Sequence, residues 1–214
     1  MSAGPSDATA RALPGRPRRY GPDEELRLLF DAAIEVMRRN EYGEVTVAEI
    51  LTEAGVSTRS FYRHFASKDD LLIALYRRET DGAVAALEAR VARAKHPRDA
   101  LEVWVDEMLS LTHDRAKARK VDVLVSPAAL RANGSTAEVQ RATEVLRRPL
   151  VMILTAGRID GSFKTVEPFD DADAISKLVW DVARQGFAGT DTRSLKEARA
   201  FVLSFSLRAI GGTL

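Results

Sequence analysis

Apolar residues recur at helical spacing along most of the chain, and the first clear face begins just after Pro22. That face is formed by Leu26, Leu29, Phe30, Ala33, Ile34 and Met37. Spacings of three and four residues place side chains on one side of an α-helix, and no convincing strand alternation is found in the sequence. Pro22 suits a first helical turn, so a helix is predicted from there to just before Gly43.

Two short helices are predicted next. Thr46 and Glu49 form a T-x-x-E capping box that opens the second helix, and Gly55 ends it. Ser57 is the expected N-cap of a third helix, which extends to about Phe65. The two helices are therefore joined by a tight turn.

A long fourth helix begins at Lys68, where Ser67 and Asp70 form a second capping pattern. Further helices are predicted at about 98–115, 117–131, 135–156, 171–187 and 194–210. Pro127 and Pro149 are expected to kink or interrupt the helices that contain them. The chain is thus predicted to be all-α with about nine helices. The expected divisions are an arm over 1–20, a small domain over 21–67 and a larger domain over 68–214.

Composition narrows the class of protein. The 214 residues are 45% hydrophobic and 29% charged, which is typical of a globular protein with a core. The absence of cysteine excludes disulfides, thiolate zinc sites and cysteine nucleophiles. No signal peptide and no apolar stretch long enough to span a bilayer is found, so we expect a soluble cytoplasmic protein. The formal net charge is only +1, so any nucleic-acid binding must come from local clusters.

The second and third helices have the pattern of a helix-turn-helix. Apolar positions that suit packing across the turn are Ile50, Ala54, Val56, Phe61 and Phe65. The opposite face of the third helix carries Thr58, Arg59, Tyr62 and Arg63. Such a face fits a major groove, where arginine reads guanine edges and hydroxyl groups reach phosphates. The alternative is an ordinary helical corner with a solvated face.

The full string TVAEILTEAGVSTRSFYRHFASKDDLL closely resembles the DNA-binding signature of the TetR family of bacterial repressors. The match continues upstream through AAIEVMRRNEYGEV and covers roughly residues 23–75. It implies a three-helix DNA-binding domain joined to a larger helical ligand-binding and dimerisation domain. It also implies DNA contacts from Thr46, Ser57, Thr58, Arg59, Ser60, Tyr62, His64 and Lys68.

Two positions depart from the family pattern. Leu51 stands where a small alanine is usual beneath the turn, so the two helices are expected to lie slightly further apart. Arg59 replaces a common glycine and offers a long bidentate donor, which makes it the best candidate for reading a base.

The arm carries a basic cluster formed by Arg11, Arg16, Arg18 and Arg19. Gly15-Arg16-Pro17 resembles the core of AT-hook peptides, which lay arginines along a narrow minor groove. The alternatives are nonspecific attraction to phosphates and a solvated, disordered tail.

The larger domain resembles the family only in architecture. Helices 171–187 and 194–210 are predicted to form a four-helix interface in a homodimer, or else simply to complete the monomer core. Candidate pocket residues are Trp104, Met108, Met152, Phe163 and Trp180, although ordinary core is the alternative for each. We expect any effector to be hydrophobic or modestly polar.

Catalysis is not predicted. The chain has three histidines, at widely spaced positions, and no H-E-x-x-H, P-loop or nucleophile elbow. Neither a metal nor a cofactor is expected. The sequence favours a homodimeric repressor that binds a palindromic double-stranded DNA operator and is released by an unknown small molecule. A DNA-binding regulator or architectural protein without an effector is the first alternative. A ligand-binding or catalytic helical protein with a vestigial helix-turn-helix is the second.

Overall fold

A computed structural model describes residues 20–41, 43–113, 121, 127–132, 134–187 and 193–213. The helices with defined bounds are α1 (Pro22–Arg39), α2 (Val47–Ala54), α3 (Thr58–His64), α4 (Lys68–Val91), α5 (Pro97–His113), α6 (Pro127–Arg131), α7 (Ser135–Asp160), α8 (Pro168–Phe187) and α9 (Leu195–Ala209). No strand is found within these ranges. The predicted all-α class is confirmed.

The caps of the short helices form as predicted. The backbone N–H of Glu49 donates to Oγ1 of Thr46 at 3.2 Å, and Oε2 of Glu49 accepts from the Thr46 N–H at 2.8 Å. The hydroxyl of Ser57 accepts from the Ser60 N–H at 3.1 Å, which caps α3. These bonds satisfy amide groups that have no partner within the helix, so each helix start is fixed by its own sequence.

Helix α7 extends beyond the predicted end at residue 156. Gly157 lies inside the helix and does not end it. Glycine is required at this position because a Cβ would stand only 2.0 Å from Cδ2 of Phe163. The helix ends at Gly161, whose φ of +80° favours glycine. Pro149 is buried inside α7 without ending it.

Proline also sets a helix start that differs from the predicted one. Pro168 begins α8, three residues before the predicted start at residue 171. This position suits proline, because the first-turn amide has no partner within the helix. Pro127 is the first described residue of α6, and most of the range 117–126, predicted to belong to the same helix, lies outside the described residues.

Two hydrophobic clusters fill the described interior, and α4 contributes to both. Leu71 and Leu75 pack in an N-terminal cluster with α1, α2 and α3. Val84 and Leu87 pack in a C-terminal cluster with α5, α7, α8 and α9. A shift of α4 would therefore change the packing in both clusters.

A second junction between the N-terminal and C-terminal parts is ionic. Glu138 of α7 is buried and accepts from Arg77 of α4 at 2.7 Å and from Arg141 at 2.5 Å. Arg141 also donates to Asp81 of α4 at 2.9 Å. Burial disfavours the Glu138 carboxylate, yet these hydrogen bonds outweigh burial and hold its pKa below the usual value.

Across the helices that the structure describes, none has the length and apolar character needed to cross a membrane.

Candidate nucleic-acid interface

The turn between α2 and α3 has the geometry of a helix-turn-helix. Gly55 adopts φ +63° and donates its N–H to the Leu51 carbonyl at 3.0 Å, which closes α2. Val56 is half-buried against the N-terminal cluster, and Ser57 then caps α3. Phe61 is fully buried, so the orientation of α3 is set by the core beneath it.

The outer face of α3 presents the residues expected to meet DNA. Thr58 and Arg59 are exposed. Tyr62 points away from the core and is 57% exposed. The Tyr62 ring stacks edge-on against Phe61 at 5.2 Å, which restricts its position. An exposed arginine beside a positioned tyrosine on a short capped helix can read a base edge and contact a phosphate.

Three other predicted DNA contacts turn towards α1. Glu25 is only 4% exposed, and its carboxylate accepts from Ser60 Oγ at 3.2 Å and contacts the guanidinium of Arg63 directly. Nε2 of His64 lies 3.1 Å from the same carboxylate. The hydrogen bond from Arg63 is the main reason that the pKa of Glu25 is lowered, with burial opposing it. The structure therefore joins Ser60, Arg63 and His64 to α1.

Glu25 is a residue of this site that the helix-turn-helix pattern does not predict. It lies in the acidic first turn of α1, where carboxylates favour the helix dipole. Its spacing gave a usable signal, because Glu25 lies four residues before Leu29 and eight before Ala33, on the apolar face. A carboxylate in phase with a buried face needs a partner, and Arg63 and His64 provide it.

The remaining predicted DNA contacts lie at helix starts. Thr46 is exposed at the cap of α2, where its hydroxyl also donates to Glu49 at 2.7 Å. Lys68 is the half-buried first residue of α4. Ser57 is exposed, although its hydroxyl is engaged in the cap of α3. Arg16, Arg18 and Arg19 lie outside the described residues.

The predicted pocket residues differ in burial and in the part of the larger domain that they contact. Trp104, Met108 and Phe163 are buried in the C-terminal cluster, and Trp180 packs at its edge. Trp104 donates its indole N–H to the Leu146 carbonyl at 3.2 Å, so the polar nitrogen of this buried side chain has a hydrogen-bond partner. Met152 is 64% exposed and lies outside this cluster, because it faces outward from α7.

A cavity of about 630 Å³ lies between α4 and α5. Its apolar wall is formed by Gly82, Ala83, Ala86, Leu87, Met108, Leu111 and Val121. Its charged lining consists of Arg78, Glu79, Arg90 and Glu107. This volume suits a small-molecule ligand, and Met108 is the predicted pocket residue that contributes to the described wall.

Comparison with known proteins agrees with this geometry. Residues 29–75 match the model of the family described as bacterial regulatory proteins, tetR family. The regulator BetI of Rhizobium meliloti is 31% identical over 159 residues, covering 71% of this chain and 70% of BetI. The fatty acid metabolism regulator protein of Bacillus subtilis is 27% identical over 142 residues, covering 64% of this chain and 69% of that protein.

Solved structures share the fold over nearly their full length. FadR of Bacillus subtilis, in complex with stearoyl-CoA, superposes with a TM-score of 0.70 at 20% identity, over 86% of this chain and 98% of FadR. A TetR transcription regulator from Haloarcula marismortui gives 0.71 at 19% identity, over 88% and 98%. These relatives are transcriptional regulators rather than enzymes. The helix-turn-helix, the family match and the BetI relationship together show that this chain belongs to the TetR family and is a DNA-binding transcriptional regulator.

Proposed function

We propose that the protein is a homodimeric repressor that binds a near-palindromic operator and releases it when a small molecule occupies the larger domain. The single observation that carries the DNA-binding part is the exposed face of α3, formed by Thr58, Arg59 and Tyr62 above the buried Phe61. A two-fold dimer places two such helices in successive major grooves, and this explains why one short helix suffices for each half-site.

Within this proposal the residues on and around α3 divide into two groups. Arg59 reads a base, while Tyr62, Thr46 and Lys68 grip phosphates. Arg63 and His64 contact Glu25 in the structure, so their first role is to hold α3 against α1. Phosphate contacts from these two residues, and from the basic arm, stay predictions.

The proposed dimer uses the predicted helices 171–187 and 194–210, which correspond to α8 and α9. Phe201 and Phe205 lie four residues apart on α9 and are 44% and 46% exposed, which is unusual for phenylalanine in an isolated subunit. The opposite face of α9 packs Val202 and Leu207 into the C-terminal cluster. A self-complementary contact that covers the two phenylalanines supports this arrangement.

The domain boundary is proposed to lie within α4. The first half of α4 packs in the N-terminal cluster, and its second half packs in the C-terminal cluster and lines the cavity. Helix α4 is therefore the proposed mechanical link between ligand and operator. An apolar wall favours an effector with an apolar body. The relationship to a fatty acid metabolism regulator, and the stearoyl-CoA bound by FadR, support the same class.

Selection of duplexes from random oligonucleotides by the full-length dimer tests this function. We expect enrichment of an inverted repeat whose half-sites are about one helical turn apart or a multiple of it. Retention that falls steeply with salt but enriches no sequence would instead indicate a nonspecific architectural protein.

A further inference from the structure

We propose that Arg78 recognises an anionic group on the effector and, by moving towards it, transmits occupancy of the cavity to the recognition helix. The ligand class is an amphiphile with an apolar body and one carboxylate or phosphate. This deepens the proposed function, on which it rests, because the cavity is taken as the effector site.

Arg78 stands at the junction of the two domains and contacts both. Arg78 is one of the residues that line the cavity between α4 and α5. Its Cζ also lies 4.9 Å from the ring centroid of Phe30 on α1, and its Nη2 is 3.7 Å from Oδ1 of Asp31. A group that enters the cavity and a group on the DNA-binding domain therefore compete for one guanidinium.

The ion pairs of Arg78 are loose. The distances to Asp31 and to Oε1 of Glu79 are 3.7 and 3.5 Å. Charge-assisted hydrogen bonds measure about 2.7–2.9 Å, so both of these pairs are longer than a close bidentate contact. Arg90, the other arginine of the cavity, is in direct contact with Glu107. An entering anion therefore gains more from Arg78 than from Arg90.

The apolar wall of the cavity suits an apolar body, whereas Glu79, Arg90 and Glu107 form its charged lining together with Arg78. Leu87, Met108 and Leu111 line it, and small residues of α4 leave the space open. Such a surface rewards burial of a hydrocarbon chain but supplies no hydrogen bonds of its own. An anion at Arg78 with a chain along this wall fits both features at once.

The contact with Phe30 leads directly to α3. Phe30 packs edge-on against Phe65 with ring centroids 5.8 Å apart. Phe65 is the C-terminal cap of α3, and its N–H donates to the Phe61 carbonyl at 2.9 Å. When Arg78 turns into the cavity, the outer side of Phe30 loses its cation contact, and the packing that positions α3 changes. The ligand then favours the conformation in which Arg78 has left α1, which is the condition for it to shift the equilibrium.

The test measures binding of decanoate, 1-decanol and decylamine to the full-length protein by calorimetry, without DNA. We expect decanoate to bind at least about tenfold more tightly than decanol, because a charge-assisted bidentate pair is available. Arg78→Met keeps the apolar stem and should bring the two affinities within about twofold of each other. Arg93→Met, at an exposed position after the end of α4, is the matched control and should keep the wild-type ratio.

A second variant tests transmission separately from recognition. Phe30→Leu leaves the cavity lining intact and removes the ring that competes for Arg78, so it should bind decanoate at least as tightly as the wild-type protein. On a duplex selected by the wild-type protein, decanoate should release the wild-type dimer, whereas release of Phe30→Leu should be reduced several-fold.

Equal affinity for decanoate and decanol, a preference for decylamine, no binding of decanoate at millimolar concentration, or an unchanged ratio in Arg78→Met would overturn the proposal. Full release of Phe30→Leu would overturn the transmission step. Failure to select any duplex would count against the repressor function alone, because the affinity ratio is measured without DNA.

Discussion

Nε2 of His64, at the end of the recognition helix, lies 3.1 Å from Oε2 of Glu25 near the start of α1. The two residues are separated by 39 positions in the chain. The same carboxylate contacts Arg63 and accepts a hydrogen bond from Ser60. One buried acid therefore contacts three residues of α3, which are Ser60, Arg63 and His64. The angle at which α3 is presented to DNA therefore depends on Glu25.

Glu25→Gln is expected to weaken both folding and operator binding. The amide keeps the shape but loses the charge, so Arg63 and His64 no longer have an anionic partner. The free energy of unfolding should fall by roughly 1–3 kcal/mol, and DNA affinity should fall because α3 is less well fixed. Urea denaturation and duplex binding measure the two effects. Glu24→Gln, at an exposed position of the same turn, is the control, and an equal loss in that variant would contradict the assignment.

Acid pH should remove the contribution of Glu25. Its pKa is lowered in the folded protein, chiefly by the Arg63 hydrogen bond, so its stabilisation is complete above the unfolded value of about 4.3. That stabilisation is lost as the pH falls through the lower folded value. The difference in unfolding free energy between the wild-type protein and Glu25→Gln should be present at neutral pH and shrink as the pH falls below about 4.3. A difference that grows as the pH falls below about 4.3 would contradict the role of Glu25.

Removing the two exposed phenylalanines of α9 should produce monomers. Phe201→Ser with Phe205→Ser reduces the apolar area available to the proposed interface, while the buried face of α9 is unchanged. Sedimentation should show dimers for the wild-type protein and monomers for the double variant, with a folded helical spectrum in both. DNA affinity should fall steeply, because each monomer reads one half-site. A double variant that stays dimeric would place the interface elsewhere.

Gly157→Ala should destabilise the larger domain. A Cβ at this position meets Cδ2 of Phe163 at 2.0 Å, so the ring must move out of a packed core, at a cost of about 1–3 kcal/mol. Gly82→Ala on α4 is the matched control, since nothing lies within 4 Å of its Cβ position. That variant should gain up to about 1 kcal/mol from helix propensity. Thermal unfolding of both variants decides the point, and destabilisation of equal size would exclude the Phe163 contact as the cause.

The local signals of the sequence predicted the first four helices well. The Thr46–Glu49 capping box and the Ser57 cap depend on residues three apart, so they are visible without tertiary structure. The end of α7 was less predictable, because Gly157 serves a contact with Phe163 rather than a helix stop. A single sequence does not distinguish a glycine that makes room for an aromatic ring from a glycine that ends a helix.

Features of the candidate sites could likewise be predicted where they depend on local sequence, but not where they depend on tertiary packing. The solvent face of α3 followed from its periodicity, whereas the partners of Arg63 and His64 depend on how α1 crosses α3. The sequence predicts pocket walls from large apolar residues such as Trp104, and their contact with an effector stays a prediction. In the structure Trp104 fills the core, and the described cavity lies where Gly82 and Ala83 leave space on α4. Empty space formed by small residues depends on the neighbouring helix and has no pattern in sequence.

The exposed face of α3 is proposed to read bases, with Arg59 as the principal donor. This role is tested by the affinity of wild-type protein and Arg59→Ala for a selected duplex and for variants of that duplex with one base pair changed. We expect Arg59→Ala to lose about 1–3 kcal/mol and to lose discrimination at one base pair in each half-site, while other positions keep theirs. Arg158→Ala, on the exposed surface of α7, should bind like the wild-type protein. If Arg59→Ala kept both the wild-type affinity and full discrimination at every position, the assignment of this face to base recognition would be contradicted.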